Sequence, residues 1–167
     1  MANLKKEGIV IDFHISALHQ PLLEEMVASN VNLIKSIAPK YFDKLTNVVI
    51  DSALKGRDMA SIFQHIKDLN KVTERRAELI AIDQTNKATQ ALNVMQTKDI
   101  GIKKGIWIHI PGEKSSRKTH IAMNGKTFDL DEGLYDEDVG RNVLPGELPY
   151  CRCDFRPDIT ELLANEQ

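Results

Sequence analysis

Gly105-Ile106-Trp107-Ile108-His109-Ile110-Pro111-Gly112 is the stretch at which the chain changes its period. Ile106, Ile108 and Ile110 alternate with Trp107 and His109, a repeat of two that fits a strand, and Pro111-Gly112 turns the chain away. Upstream of it, apolar residues recur instead at steps of three and four. The expected fold class is therefore α+β: an N-terminal bundle of about four helices, then a small antiparallel β-sheet.

The four helical stripes can be read one by one. Leu23, Met26, Val27, Val31, Ile34 and Ile37 form the first, which stops near Pro39 because proline cannot donate to a helical ladder. Tyr41, Leu45, Val48, Val49 and Ser52 form the second, with Gly56 placed for a left-handed C-terminal cap. Asp58 is a good N-cap for the third, carried by Met59, Ile62, Phe63, Ile66 and Leu69 and ended by Asn70. Thr73 can cap the fourth and longest, in which Ala77, Ile80, Ala81, Gln84, Ala88, Ala91, Leu92 and Met95 share a face. A second face of that helix carries Asp83, Asn86, Lys87, Gln90 and Asn93. It reads either as solvated surface or as a place where a partner binds.

Downstream, Thr119 to Met123, Asn124-Gly125 and Lys126 to Leu130 carry a hairpin signal. A two-residue turn would set His120 opposite Asp129 and Ile121 opposite Phe128. Residues 131–149 are acidic and rich in turn formers, so they are expected to be a long ordered loop, after which Tyr150 to Arg156 is a short extended piece. The resulting organisation is an arm over residues 1–21, a helical region over 22–100 and a hairpin and loop subdomain over 101–160. Residues 22–160 form one compact domain in this reading.

Composition narrows the function classes. The chain has 167 residues, with 22 basic against 24 acidic side chains and a net charge of -2, so it carries no polybasic arm to attract bulk nucleic acid. No apolar run approaches the roughly 20 residues of a membrane span, and Met1 to Ile11 lacks the apolar centre of a signal peptide. No membrane role is expected. Phosphate-cradling, zinc-hydrolase and nucleophile-elbow motifs are absent from the sequence. The two cysteines, Cys151 and Cys153, are too close to bridge without strain.

Cys151 and Cys153 with His120 and His109 are the ligand types of a structural zinc site, and Asp129 is the expected carboxylate behind His120. Alternatively, the imidazole could lower a thiol's pKa for nucleophilic chemistry, or these side chains simply fasten the hairpin. No catalytic residue and no cofactor is assigned, zinc being the one metal candidate.

From Arg76 to about Pro157 the sequence resembles the Mu F-like minor head proteins of tailed bacteriophages, the phage head morphogenesis domain. Arg76-Ala77-Glu78-Leu79-Ile80-Ala81-Ile82-Asp83-Gln84-Thr85-Asn86-Lys87 is similar to the family's helix, R-A-x-L-I-A-R-D-Q-T-N-K in one form. It is followed in order by Ala91-Leu92-Asn93, Gly101-Ile102, the Trp107 strand, Arg117-x-x-His120, Gly125-Lys126-x-Phe128, Pro145-Gly146 and Cys151-Arg152-Cys153. Two positions depart from the pattern: Ile82 stands in place of an arginine, and Glu113 in place of an aspartate.

The resemblance implies a non-enzymatic minor capsid protein, encoded by a phage or prophage and made in the bacterial host cytoplasm. It would be assembled into the virion head with the portal and other capsid proteins, with transient DNA contact compatible with that role. Arg117, His120, Asp129, Cys151 and Cys153 are then a structural motif. Asp83, Asn86, Gln90 and Asn93 are partner-binding candidates, and the N-terminal arm is a candidate for self-association. The alternative is a metal- or thiol-dependent hydrolase, or a toxin-like enzyme, centred on His120, Cys151 and Cys153.

Overall fold

The computed structural model describes residues 19–55, 58–69, 72–111, 116–160 and 163. The expected arm lies outside these except at its end, as do Gly56, Asn70 and Glu113. Helix α1 (His19–Asn32) leads through turns and a 3-10 segment (Pro39–Tyr41) into α2 (Phe42–Leu54), α3 (Met59–Asp68) and the long α4 (Glu74–Asp99). Leu23, Val27 and Val31 of α1 meet Leu45 and Val49 of α2, Ile62 and Ile66 of α3, and Ala77, Ile80 and Ala88 of α4 in one buried cluster. The caps are as the sequence reads: the Asp58 carboxylate accepts the Ser61 N–H at 3.2 Å, and the Thr73 hydroxyl accepts that of Arg76 at 3.3 Å. Met26 and Met59, placed in the stripes, lie instead at the exposed rim.

After α4 the chain forms β1 (Lys104–Ile108), a short helix α5 (Lys118–Met123), β2 (Thr127–Asp129), β3 (Leu134–Asp136), β4 (Arg141–Val143) and β5 (Asp154–Pro157). β1 is the middle of a three-stranded antiparallel sheet ordered β2-β1-β5, and β3 pairs with β4 separately. Gly105 has no room for a side chain, since a Cβ there would stand 2.9 Å from the Phe155 ring and 3.0 Å from that of Phe128. Those two rings meet edge to face across it at 6.0 Å. Trp107, fully buried, anchors this second core with Met123, Phe128, Leu130 and Val143.

The expected hairpin is corrected here. Residues 118–123 are helical, and β2 pairs with β1, Ile106 facing Thr127 and Gly105 facing Phe128. The reason is the turn type. Asn124 has φ -54° and ψ 128° and Gly125 has φ 79°, the dihedrals of a type II turn closed by Lys126 N–H to Met123 O at 2.9 Å. A two-residue strand connection would need positive φ at the asparagine as well. Asp129 consequently pairs with Lys104 rather than with His120. Part of the expected loop over 131–149 is also ordered further than expected, as the β3–β4 hairpin.

Helix α4 joins the two cores. The amide-rich face, expected on the surface, is buried against the chain's own C-terminal part. Asp83 accepts the Tyr150 N–H at 2.6 Å and the Lys87 ammonium at 3.1 Å. Gln90 donates to Asp154 at 2.8 Å. Asn86 is buried as well, and Asn93 is half-buried. Asp83 and Gln90 therefore serve as internal docking residues rather than as the expected partner-binding face.

Candidate functional site

Three separate pieces of chain bring the sulfur and imidazole groups together. His120 sits in α5, about one helical turn before the type II turn, and α5 turns both His120 and Met123 inward at the i, i+3 spacing of one helical face. Cys151 and Cys153 lie on the segment leading into β5, both buried and both with free thiols. His109 follows β1, its N–H held by the Asn124 side-chain oxygen at 2.8 Å.

The Nδ1 atom of His120 lies 3.3 Å from Cys151 Sγ and 3.5 Å from Cys153 Sγ. Cys153 Sγ lies in turn 3.6 Å from His109 Nδ1. The donor atoms of His120, Cys151 and Cys153 all fall within 4.8 Å of one another. On its far side, His120 Nε2 is 3.1 Å from an Asp136 carboxylate oxygen, with both side chains closed off from solvent. The other Asp136 oxygen accepts the Asp138 N–H at 2.9 Å. Trp107 stands edge-on to the imidazole at 5.3 Å. His109, His120, Arg117 and both cysteines line a small cavity of about 40 Å³.

The groups perturb one another. Burial disfavours an imidazolium at His120, but hydrogen bonding and attraction from Cys151 and from Asp136 outweigh it, and the pKa is raised. Burial pushes the Asp136 carboxyl up, while the Asp138 N–H and the hydrogen bonds of Thr119 and His120 bring it below its usual value. Cys151 falls to about 4, because Cys153 donates to it, against burial and aided by His120. Cys153, which holds the shared proton, is pushed up by that same bond and by burial. The Trp107 indole N–H, buried without a full hydrogen bond, acts on the Cys153 sulfur in the opposite direction.

His109, His120, Cys151 and Cys153 are thus brought together, and Arg117 stands beside them, donating to Pro149 O at 3.0 Å. Asp129 is not part of the group: it caps the Asp131 N–H at 2.8 Å. Asp136 takes its place behind His120, a residue the sequence reading missed. Nothing marks it out among the many carboxylates of the acidic 131–140 segment.

Residues 43–156 match the family described as phage Mu protein F like protein, more than half of the chain, from Asp43 in the first turn of α2 through β4 and into β5. The chain belongs to that family. This Mu F-like chain is also 35% identical over 155 residues to an uncharacterized protein of Haemophilus influenzae, the match covering 90% of the chain and 33% of the relative. The Mu F-like chain therefore spans about a third of the length of that relative. No solved structure matches it. Family membership supports a structural role related to phage head morphogenesis, and among the described residues no helix is long and apolar enough to cross a membrane.

Proposed function

We propose that this Mu F-like chain is a minor head protein, or the head-assembly domain of one, which joins the forming phage head by binding the portal or neighbouring capsid proteins and remains inside the virion. The family match over residues 43–156 carries the reading. The fold is compatible with it: two cores clamped by α4 make a stiff module suited to a fixed place in an assembly. Near-neutral charge agrees with protein contacts rather than bulk DNA binding.

The enzyme alternative finds one feature in its favour, the order thiol, imidazole, carboxylate in Cys151, His120 and Asp136. Yet Cys151 is 4% exposed, and the cavity of about 40 Å³ beside it has no room for an organic substrate. The same imidazole nitrogen is also shared with Cys153. The arrangement suits holding rather than turnover, and the assembly reading is preferred.

The test is genetic and biochemical together. Stopping expression of the encoding gene in its phage should reduce or deform heads, and mass spectrometry of purified virions should find the protein in a few copies per head. Co-expression with the portal protein of the same genome should give a complex on size exclusion. Normal heads, together with the protein's absence from virions, would sink the reading. Comparing the full chain with one lacking residues 1–18 by analytical ultracentrifugation tests self-association through the arm.

A further inference from the structure

The assembly role makes no use of the His120–Cys151–Cys153 group, whose geometry is independent of any partner. One imidazole nitrogen, whether it carries a proton or a lone pair, makes one well-formed hydrogen bond. Here Nδ1 of His120 faces two sulfurs, at 3.3 and 3.5 Å. Hydrogen bonding accounts for one of these approaches. A tetrahedral zinc ion with Zn–S of about 2.3 Å and Zn–N of about 2.0–2.1 Å sets nitrogen and sulfur ligands about 3.5 Å apart. The two nitrogen–sulfur distances already have that spacing, and all three donor atoms lie within 4.8 Å of one another.

The tautomer is also the one a metal requires. Asp136 takes the Nε2–H of His120 at 3.1 Å, which turns the Nδ1 lone pair towards the sulfurs. Asp136 is itself fully buried and fixed by the Asp138 N–H. A buried carboxylate supporting a histidine that faces two thiols is the usual outer arrangement of a metal-bound imidazole. His109 Nδ1 lies 3.6 Å from Cys153 Sγ, at the edge of the closely spaced group of three. The cavity of about 40 Å³ among these residues is of the size of a single small occupant.

We propose that His120 Nδ1, Cys151 Sγ and Cys153 Sγ, completed by His109 Nδ1, bind a structural zinc ion that ties the end of β1, α5 and the segment before β5 together. Two thiolates and two imidazoles form a closed set with no open position for a substrate, as in structural rather than catalytic sites. Binding replaces the thiol protons, which leave to solvent, and the ion's two charges are matched by the two thiolates. The inference does not depend on the head-assembly reading, and its test involves no phage component.

The test is made on the full chain, purified without chelator. Elemental analysis should give close to one zinc per chain. Cobalt(II) added to the metal-free protein should produce tetrahedral d–d bands and a thiolate-to-cobalt charge-transfer band that saturate at one equivalent. A thiol reagent should modify both cysteines at least tenfold more slowly in the zinc-loaded protein than after chelation. Cys151→Ser and Cys153→Ser should each abolish the charge-transfer intensity of a two-thiolate site, and His109→Ala should weaken cobalt binding tenfold or more. Since the cysteine variants can fail to fold, the cobalt titration of the natural chain decides. Folded protein by circular dichroism that takes up no cobalt, with thiols equally reactive with and without zinc, overturns the proposal. Undiminished affinity in His109→Ala would remove His109 from the ligand set.

Discussion

His120 and Asp136 are joined at 3.1 Å in a place where neither side chain touches solvent, 2% and 0% exposed respectively. Two consequences follow from burying a carboxylate so completely. Its charge is held by the imidazole and the Asp138 N–H, so removing either partner leaves an uncompensated group in the core. Asp136→Ala is expected to lower stability by about 3–5 kcal/mol in urea unfolding with chelator present, the range for breaking a buried pair. Asp136→Asn, which keeps an acceptor, should cost about 1–3 kcal/mol. A loss under 1 kcal/mol for the alanine variant would show that the pair is not closed in solution.

The docking of α4 against the C-terminal part gives a second expectation. Asp83 holds both the Tyr150 N–H and the Lys87 ammonium, the latter pair only 10–12% exposed. Asp83→Ala strands both donors and should cost about 2–4 kcal/mol. Had this face served only a partner, the isolated chain would tolerate the change within about 0.5 kcal/mol. Chemical denaturation of the two proteins side by side distinguishes these outcomes.

How much of this was legible depends on the length of each pattern. The fourth helix offered more than twenty residues of one period, and Thr73 and Asp58 carried their capping signals openly. β1 was legible because three isoleucines alternate and Pro111 ends them. Residues 119–123 were not, since five residues fit a period of 2 and one of 3.6 equally well. Asn-Gly could signal a hairpin or a type II turn, and only Asn124's negative φ decides between them. The sulfur and histidine ligands could be named from their types. Asp136 could not, because what selects it is the three-dimensional path of an acidic loop. On α4 the polar character of Asp83 and Gln90 was legible, but the partner proved to be the chain's own later segments.

Two glycines with nearly the same φ separate conformational strain from collision. Gly125 has φ 79° with open space where a Cβ would go, whereas at Gly133, φ 78°, a Cβ would lie 2.3 Å from the Val143 carbonyl oxygen. That oxygen belongs to the β3–β4 ladder, where Val143 faces Leu134, so it cannot retreat without breaking the hairpin. Gly125→Ala is expected to cost about 1–2 kcal/mol, the strain of a left-handed backbone alone. Gly133→Ala should cost at least about 2 kcal/mol more, as overpacking against a fixed group does. Equal losses in thermal and urea unfolding would mean that the β3–β4 hairpin yields easily.

Asp58 supplies a pH dependence whose sign can be worked out. The Ser61 hydroxyl and then the Ser61 N–H hold its carboxylate below the ordinary value of 3.8, so the folded chain binds this proton less readily than the unfolded one. The stabilisation is therefore complete at pH values well above 3.8 and is lost as pH falls through the lower, folded-state pKa. Asp58→Asn keeps a good N-cap without the titrating charge. The stability difference between the two proteins should stay flat above about pH 5 and shift towards the asparagine variant on further acidification. A difference that moves towards the natural chain as pH falls would show that Asp58 is not ionised at the cap, a result that an NMR titration of its carboxyl carbon would confirm directly.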